Sequence, residues 1–346
     1  MSFQKVFITF FILIFGTIGT LAFLKKQKTK QEIPAFEGKP IEINLQDLEK
    51  AKVQKNIQQN TTQTKPQAAA PSTTQAVQQA FAPLIANDIT QFPKGAIDLL
   101  FQKNSPLPIV ETIQYKSRVS WKPGKAAWLI DYAQHYLTPL DFIARSINNC
   151  PDYTIRTISD GLLFNVLRTD KEFSFYIVID LSRCSLWLYY LDPEAQERVF
   201  LKGYHVALGR LDSKEASGSL TPIGTYKLGS RVGVFKPKMM GWHKGNRVEL
   251  ITVFGTRWIP FEHEVEGCSA PAKGLGIHGT PWEYNPEQGM LVDNESSLGK
   301  YESDGCIRLK TADNEELFSI ISTRGALVEL VRDIKDAKLP YKERSF

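Results

Sequence analysis

The chain is 346 residues long, 42% hydrophobic, 11% aromatic and 23% charged, enough apolar mass for a sizeable core and more length than one average domain needs. Its formal net charge of +5 carries no long basic block beyond 25–30, which argues against nucleic acid as a partner. The four cysteines, Cys150, Cys184, Cys268 and Cys306, lie tens of residues apart. That fits neither a disulfide lattice nor a zinc module and leaves any one of them open to being a lone catalytic thiol.

Residues 6–24 (VFITFFILIFGTIGTLAFL) form an uncharged apolar run, long enough as a helix to cross a bilayer. No A-x-A-like exit precedes Lys25, so residues 1–30 read as an uncleaved signal anchor. Lys25, Lys26, Lys28 and Lys30 follow the run and only Lys5 precedes it. Taken literally, the positive-inside rule leaves the body of the protein in the cytoplasm; the chemistry of the C-terminal part argues for the opposite side. Residues 31–100 are rich in Gln, Thr, Ala and Pro, with no aromatic residue between Phe36 and Phe81, and read as a disordered linker. As a coil its ends lie roughly 45 Å apart on average.

Residues 115–168 have the pattern strand, helix, helix, strand. Pro123 and Gly124 make a turn, and Trp128, Tyr132 and Tyr136 fall at helical spacing within 126–136. Thr138 and Pro139 open a second helix to about 147, and Asp160 with Gly161 turns the chain into a strand over 162–167. This order resembles a LysM module, a glycan-binding unit of bacterial cell walls, through Gly124, Trp128, Ile130, Asn148, Ile158 and Gly161. Lys125 and Ala126 depart from the usual acidic and hydroxyl residues, and a purely structural α+β unit is the alternative. Trp128 and Tyr132 are either sugar-stacking or core residues.

From Phe173 onward strands dominate: 173–180 and 185–191 are β-branched and aromatic, and further strands are expected at 200–207, 224–228 and 249–254. One helix is signalled by Thr311 as N-cap, Asp313, Glu315 and Glu316 in its first turn, and Leu317, Phe318 and Ile321 on one face. Gly325 stops it before a last strand at 326–331. The fold class is mostly β with one or two helices.

Three strings stand out in this region: TPIGTY at 221–226, IHGT at 277–280 and SDGCIRL at 303–309. A Cys beside a Gly after a polar loop can present a thiol where backbone N–H groups also point outward, and a distant His can serve as its base. Since a free thiol near neutral pH is mostly protonated, such a partner is needed. The residues alone leave open a buried structural Cys306 and a core His278.

Together and in this order the strings resemble the L,D-transpeptidase family with its YkuD-type catalytic domain, over residues 173–333. The resemblance implies a β-sandwich-like catalytic domain that works on peptidoglycan stem peptides without cofactor or metal. It makes Cys306 the nucleophile, His278 the general base, and Gly279 the residue that orients the imidazole through its carbonyl. Ser303, Gly305 and Arg308 complete the active-site loop for substrate and oxyanion, with the Gly305 and Cys306 amides as oxyanion donors. In the implied reaction Cys306 attacks the third residue of a tetrapeptide stem and forms a thioester as the terminal D-alanine leaves. An amine of a neighbouring stem then resolves it.

Two features depart from the family pattern. Asp304 stands where His is more frequent; it reads as a loop-structuring residue, although a carboxylate there would raise the thiol pKa. His278 and Ser303 are also farther apart than is usual, and the added stretch at 281–301, with Trp282 and Tyr284, is expected to be a long loop near the cleft. His243, His263 and Cys268 match no zinc spacing. Trp242 and Trp258 read as core or cleft wall, and among Cys150, Cys184 and Cys268 at most one disulfide can form.

The leading expectation is a membrane-anchored peptidoglycan L,D-transpeptidase of the cell envelope, held in the cytoplasmic membrane by residues 6–24 with its catalytic domain in the periplasm. Its LysM-like unit would raise its effective concentration on the wall. The alternatives are an L,D-carboxypeptidase or hydrolase of the same fold and a catalytically inactive cell-wall-binding protein.

Overall fold

The structure, a computed structural model, describes residues 91–149 and 157–346. The apolar run at 6–24, nearly all of the expected linker and Cys150 lie outside the described residues. Among the described residues no helix is long and apolar enough to cross a membrane. The described end of the stretch read as linker is folded: α1 (Ile97–Phe101) buries Ile97 and Leu100, and Gly95 packs so closely on Leu201 that a Cβ there would lie 2.0 Å from its carbonyl oxygen.

The upstream unit consists of β1 (Val110–Gln114), α2 (Leu129–His135), α3 (Leu140–Asn148) and β2 (Leu163–Leu167). β1 and β2 pair antiparallel, from Val110 opposite Leu167 to Gln114 opposite Leu163. α3 turns Phe142, Ile143 and Ala144 inward and ends at Asn149, whose φ of 62° gives the left-handed cap that Asn tolerates. Tyr132 is core, its hydroxyl donating to Lys116 O and accepting from Lys116 N, both at 2.9 Å. Trp128, one turn away, is 64% exposed.

Asn165 ties this unit to the rest of the chain. Fully buried, it donates from Nδ2 to Leu100 O at 2.9 Å and Gln102 O at 2.7 Å. Its carbonyl accepts from Thr112 Oγ1 at 2.8 Å, and its own amide donates to Ser146 Oγ at 2.8 Å. One amide side chain thereby satisfies the end of α1, where backbone carbonyls lack intrahelical partners.

The C-terminal region begins with β3 (Ser174–Asp180), β4 (Ser185–Asp192), β5 (Glu197–His205), β6 (Leu208–Gly209), β7 (Gly224–Leu228) and β8 (Gly233–Val234). There follow a ribbon of β9 (Met240–His243) and β10 (Asn246–Glu249), the short helix α4 (Ile251–Phe254), the long β11 (Arg257–Glu266) and β12 (Gly276–Gly279). A second ribbon, β13 (Trp282–Asn285) with β14 (Met290–Asp293), leads to β15 (Tyr301–Ser303) and β16 (Ile307–Leu309). Helix α5 (Thr311–Ile321), β17 (Ala326–Val331) and β18 (Lys342–Glu343) complete the chain.

The main sheet runs β16-β12-β11-β7-β17-β3-β4-β5-β18, with β8 added on β11. It is one hydrogen-bonded path that turns through the long, bulged β11, which pairs with β7 over its C-terminal half and with β8 and β12 over its N-terminal half. β3 is buried on both faces. Phe175, Ile177 and Ile179 enter the main core with Leu317, Ile320 and Val328. Tyr176 and Val178 point the other way, beneath Ile334, Leu339 and Tyr341 of the C-terminal tail.

Two expectations are corrected. The strand read at 249–254 is the end of β10 followed by helix α4, which stops at Gly255 with φ 62°; a short apolar run does not distinguish strand from helix. The expected long loop at 281–301 is mostly the β13–β14 hairpin and a 3₁₀ turn at Glu295–Ser297. Replacing Asn165 with Ala strands two carbonyls at once. It is expected to cost about 2–4 kcal/mol, measured as a fall in the urea midpoint of unfolding; a change below about 0.5 kcal/mol would show that solvent satisfies those groups.

Candidate active site

The two elements that carry the predicted chemistry are adjacent and parallel. β12 and β16 pair with Ile277 opposite Ile307, His278 opposite Arg308 and Gly279 opposite Leu309. Alternation sends Ile277, Ile307 and Leu309, all at 0% exposure, into the core. His278 and Arg308 therefore share the opposite face, and Cys306, one residue before Ile307, enters from the same edge. One parallel register thus pairs residues 30 positions apart in the chain, with Cys306 two residues before Arg308.

His278 is 3% exposed and fixed on several sides. Its Nδ1 lies 2.7 Å from Gly279 O. A carbonyl can only accept, so Nδ1 carries the proton in this contact, and the Phe254 backbone also bonds the ring. The rings of Phe254 and Trp258 lie 5.5 Å and 5.6 Å from the imidazole, centroid to centroid. Burial and the neighbouring Arg308 cation push its pKa down to about 3, so at neutral pH it is an uncharged base. Gly279 performs its expected role, and its lack of a side chain explains the close packing. Gly255, with φ 62°, sits against it so that a Cβ on Gly255 would lie 2.6 Å from Gly279 Cα.

Cys306 is partly accessible, with its thiol 3.6 Å from the carbonyl oxygen of Gly274. Burial pushes this thiol up to about 11, against smaller favourable effects from the Gly276 amide, Arg308 and Lys244, while Asp304 adds to the rise. The resting state is therefore neutral thiol beside neutral imidazole, with a thiolate fraction on the order of 10⁻⁴ at pH 7.

The loop before Cys306 is held from within. Gly305 N donates to Ser303 Oγ at 3.1 Å, and Ser303 Oγ donates to Cys306 O at 2.6 Å. Ser303, 1% exposed, is thus an internal latch of the turn, and the Gly305 amide points to it. Gly305 itself is required by its φ of 117° and by Leu220 O, which would lie 2.8 Å from a Cβ.

Sequence reasoning missed the partner that holds this turn from behind. Thr221, fully buried, accepts from Gly209 N at 2.7 Å and donates to Gly305 O at 3.0 Å. The motif at 221–226 contained the signal, but only the fold shows that its threonine braces the nucleophile loop. Asp304 forms an ion pair with Arg210 at 2.5 Å and another with Lys244. The Lys244 hydrogen bond and the Arg210 contact hold its carboxyl below the usual carboxylate range. It structures the loop, as expected.

The remaining candidates separate from the site or line it. His243 stacks edge-on to Phe254 at 5.4 Å, and its pKa is lowered chiefly by burial. His263 and Cys268 lie on and just beyond β11, and no group of three metal-binding side chains occurs among the described residues. Cys184 is a buried free thiol and Cys268 a half-buried one, so they are not joined to each other. Trp258 is a wall of the imidazole pocket, whereas Trp242 is 58% exposed on the β9–β10 ribbon.

Comparison with known proteins places this geometry. Residues 174–330 match the family model of YkuD, the L,D-transpeptidase catalytic domain, and this segment is a YkuD domain. No protein with a curated description matches the chain. Among solved structures it is similar to Bd1075 of Bdellovibrio bacteriovorus, with 14% identity, 46% of this chain and 48% of that chain covered, and a TM-score of 0.30. It is also similar to the helical cell shape determining protein Pgp2 of Campylobacter jejuni, with 17% identity, 50% and 51% covered, and a TM-score of 0.31. The chain spans about half the length of each.

The two pKa values give a direct test. Alkylation of Cys306 by iodoacetamide, followed by peptide mass mapping, is expected to accelerate about tenfold per pH unit from 7 to 10 without a plateau. A rate already flat from pH 7 upward would mean that the thiol rests as an ion pair with His278.

Proposed function

We propose that the YkuD domain is a peptidoglycan L,D-transpeptidase that works through a Cys306 thioester. The observation that carries this reading is the parallel register of β12 and β16, which sets a hydrogen-bonded His278 and the Cys306 thiol on one face of a domain of the L,D-transpeptidase family. In the first half-reaction Cys306 Sγ bonds to the carbonyl carbon of the third stem residue and its proton passes to the imidazole of His278. The carbonyl oxygen gains charge beside the Cys306 amide. When the C–N bond breaks, that proton leaves with the amine of the terminal residue, and the thioester remains.

The second half-reaction reverses the proton path. Neutral His278 takes a proton from an incoming amine of a neighbouring stem, the amine nitrogen bonds to the thioester carbon, and the thiol is released protonated. With water in place of the amine, the same steps make a carboxypeptidase. The raised thiol pKa favours coupling of proton transfer to attack over a standing thiolate.

An inactive wall-binding protein was motivated by Asp304, and its ion pairs weaken that motive. Arg308 acts on the thiol more strongly than Asp304 does, and Lys244 opposes Asp304 as well. We further propose that residues 6–24 anchor the chain in the cytoplasmic membrane with its body in the envelope, where stem peptides are. The upstream βααβ unit, with Trp128 exposed, would bind glycan strands.

Intact-protein mass spectrometry after incubation with disaccharide tetrapeptide tests the chemistry. Wild type is expected to gain an acyl adduct and release D-alanine, while Cys306→Ala shows no adduct and His278→Ala loses at least about a hundredfold in rate. Cross-linked dimer among the products supports transpeptidation, and tripeptide alone supports the carboxypeptidase. Absence of any Cys306-dependent adduct would reject both.

A further inference from the structure

We propose that Lys244 and Arg210, with Arg308 behind them, form a carboxylate-recognition site at the rim of Cys306 that takes a free carboxylate of the stem peptide. This rests on the reading of Cys306 as the nucleophile for that peptide. Three cations from separate parts of the chain converge here. Arg210 follows β6, Lys244 sits in the turn of the β9–β10 ribbon, and Arg308 lies on β16 opposite His278.

A carboxylate already occupies part of this place. Asp304, two residues before Cys306, meets Arg210 through one oxygen and Lys244 through the other. It cannot saturate them, because an ammonium has three donors and a guanidinium five. The three side chains of this pairing are about half exposed, at 58%, 52% and 46% for Arg210, Lys244 and Asp304, so a solute can reach the unused donors. Arg308 makes no ion pair among the described residues, and its Nε is buried without a hydrogen-bond partner. The other carboxylate acting on it is Glu302, which is 3.9 Å from Lys300. Three cations thus face Asp304 and the partly diverted Glu302, an excess of positive charge beside the nucleophile.

Stability does not explain the cluster, since exposed ion pairs contribute little to it. Substrate chemistry does. A tetrapeptide stem carries its terminal carboxylate a few bonds from the scissile carbonyl, and a diamino acid at the third position can carry another on its side chain. Either would enter next to Asp304 when the scissile carbonyl meets Cys306.

The test is equilibrium binding to the full-length protein carrying Cys306→Ala, which reads recognition without chemistry. The probes are disaccharide tetrapeptide, its C-terminal carboxamide and its side-chain carboxamide. The acid is expected to bind about tenfold more tightly than one of the two amides, and the amide that loses affinity identifies the carboxylate. Adding Lys244→Gln should abolish that preference while leaving binding of the affected amide unchanged, and Lys244→Arg should retain it. Equal binding of the acid and both amides, or equal weakening of all three by Lys244→Gln, would overturn the proposal. A preference in this assay, where the wild-type protein gains no acyl adduct from the same tetrapeptide, would leave recognition standing and reject the proposed reaction.

Discussion

The parallel pairing of β12 with β16 is the constraint on which the site depends. A parallel pair needs a crossover connection, and here the crossover contains the β13–β14 hairpin and β15. Because the side-chain period is two, a slip of one residue would turn His278 into the core and expose Ile277 to the cleft. Burial of Ile277, Ile307 and Leu309 fixes the register, so the apolar side of these strands determines where the polar side points. Packing and chemistry are therefore specified by the same residues.

Around that pair the protein keeps its reactive groups neutral and its loop rigid. Burial disfavours both thiolate and imidazolium, which is why the pKa of Cys306 rises and that of His278 falls. Rigidity comes from short, fully satisfied links: Ser303 closes the turn from within and Thr221 braces it from the adjoining loop. Such a turn holds the thiol in place at little entropic cost during reaction.

What the sequence revealed follows from how local each signal is. Cys306, His278 and Gly279 could be singled out as candidates because their motifs are contiguous, and α5 was legible from its acidic first turn and apolar face. The hydrogen bonds of Ser303 run within the turn, a detail composition cannot carry. Thr221 and Arg210 act across long chain separations. Lys244 was overlooked although it precedes Gly245 in a two-residue turn, with φ 48° and 79° at the two positions, the signature of a tight hairpin. The helix α4 was missed because four apolar residues satisfy either period.

The upstream unit is not a separately swinging module. Phe142 of α3 and Leu167 of β2 belong to the same core as Leu317 and Phe318 of α5. Thr323 Oγ1 donates to Leu137 O at 2.8 Å, and Arg324 donates to Arg168 O at 2.9 Å. With its core shared and its edges bonded, this unit moves with the YkuD domain. Any surface it offers to a glycan strand is therefore held at a fixed distance and angle from Cys306. A rigid placement of this kind fixes the geometry between the upstream unit and the cleft, whatever either of them holds.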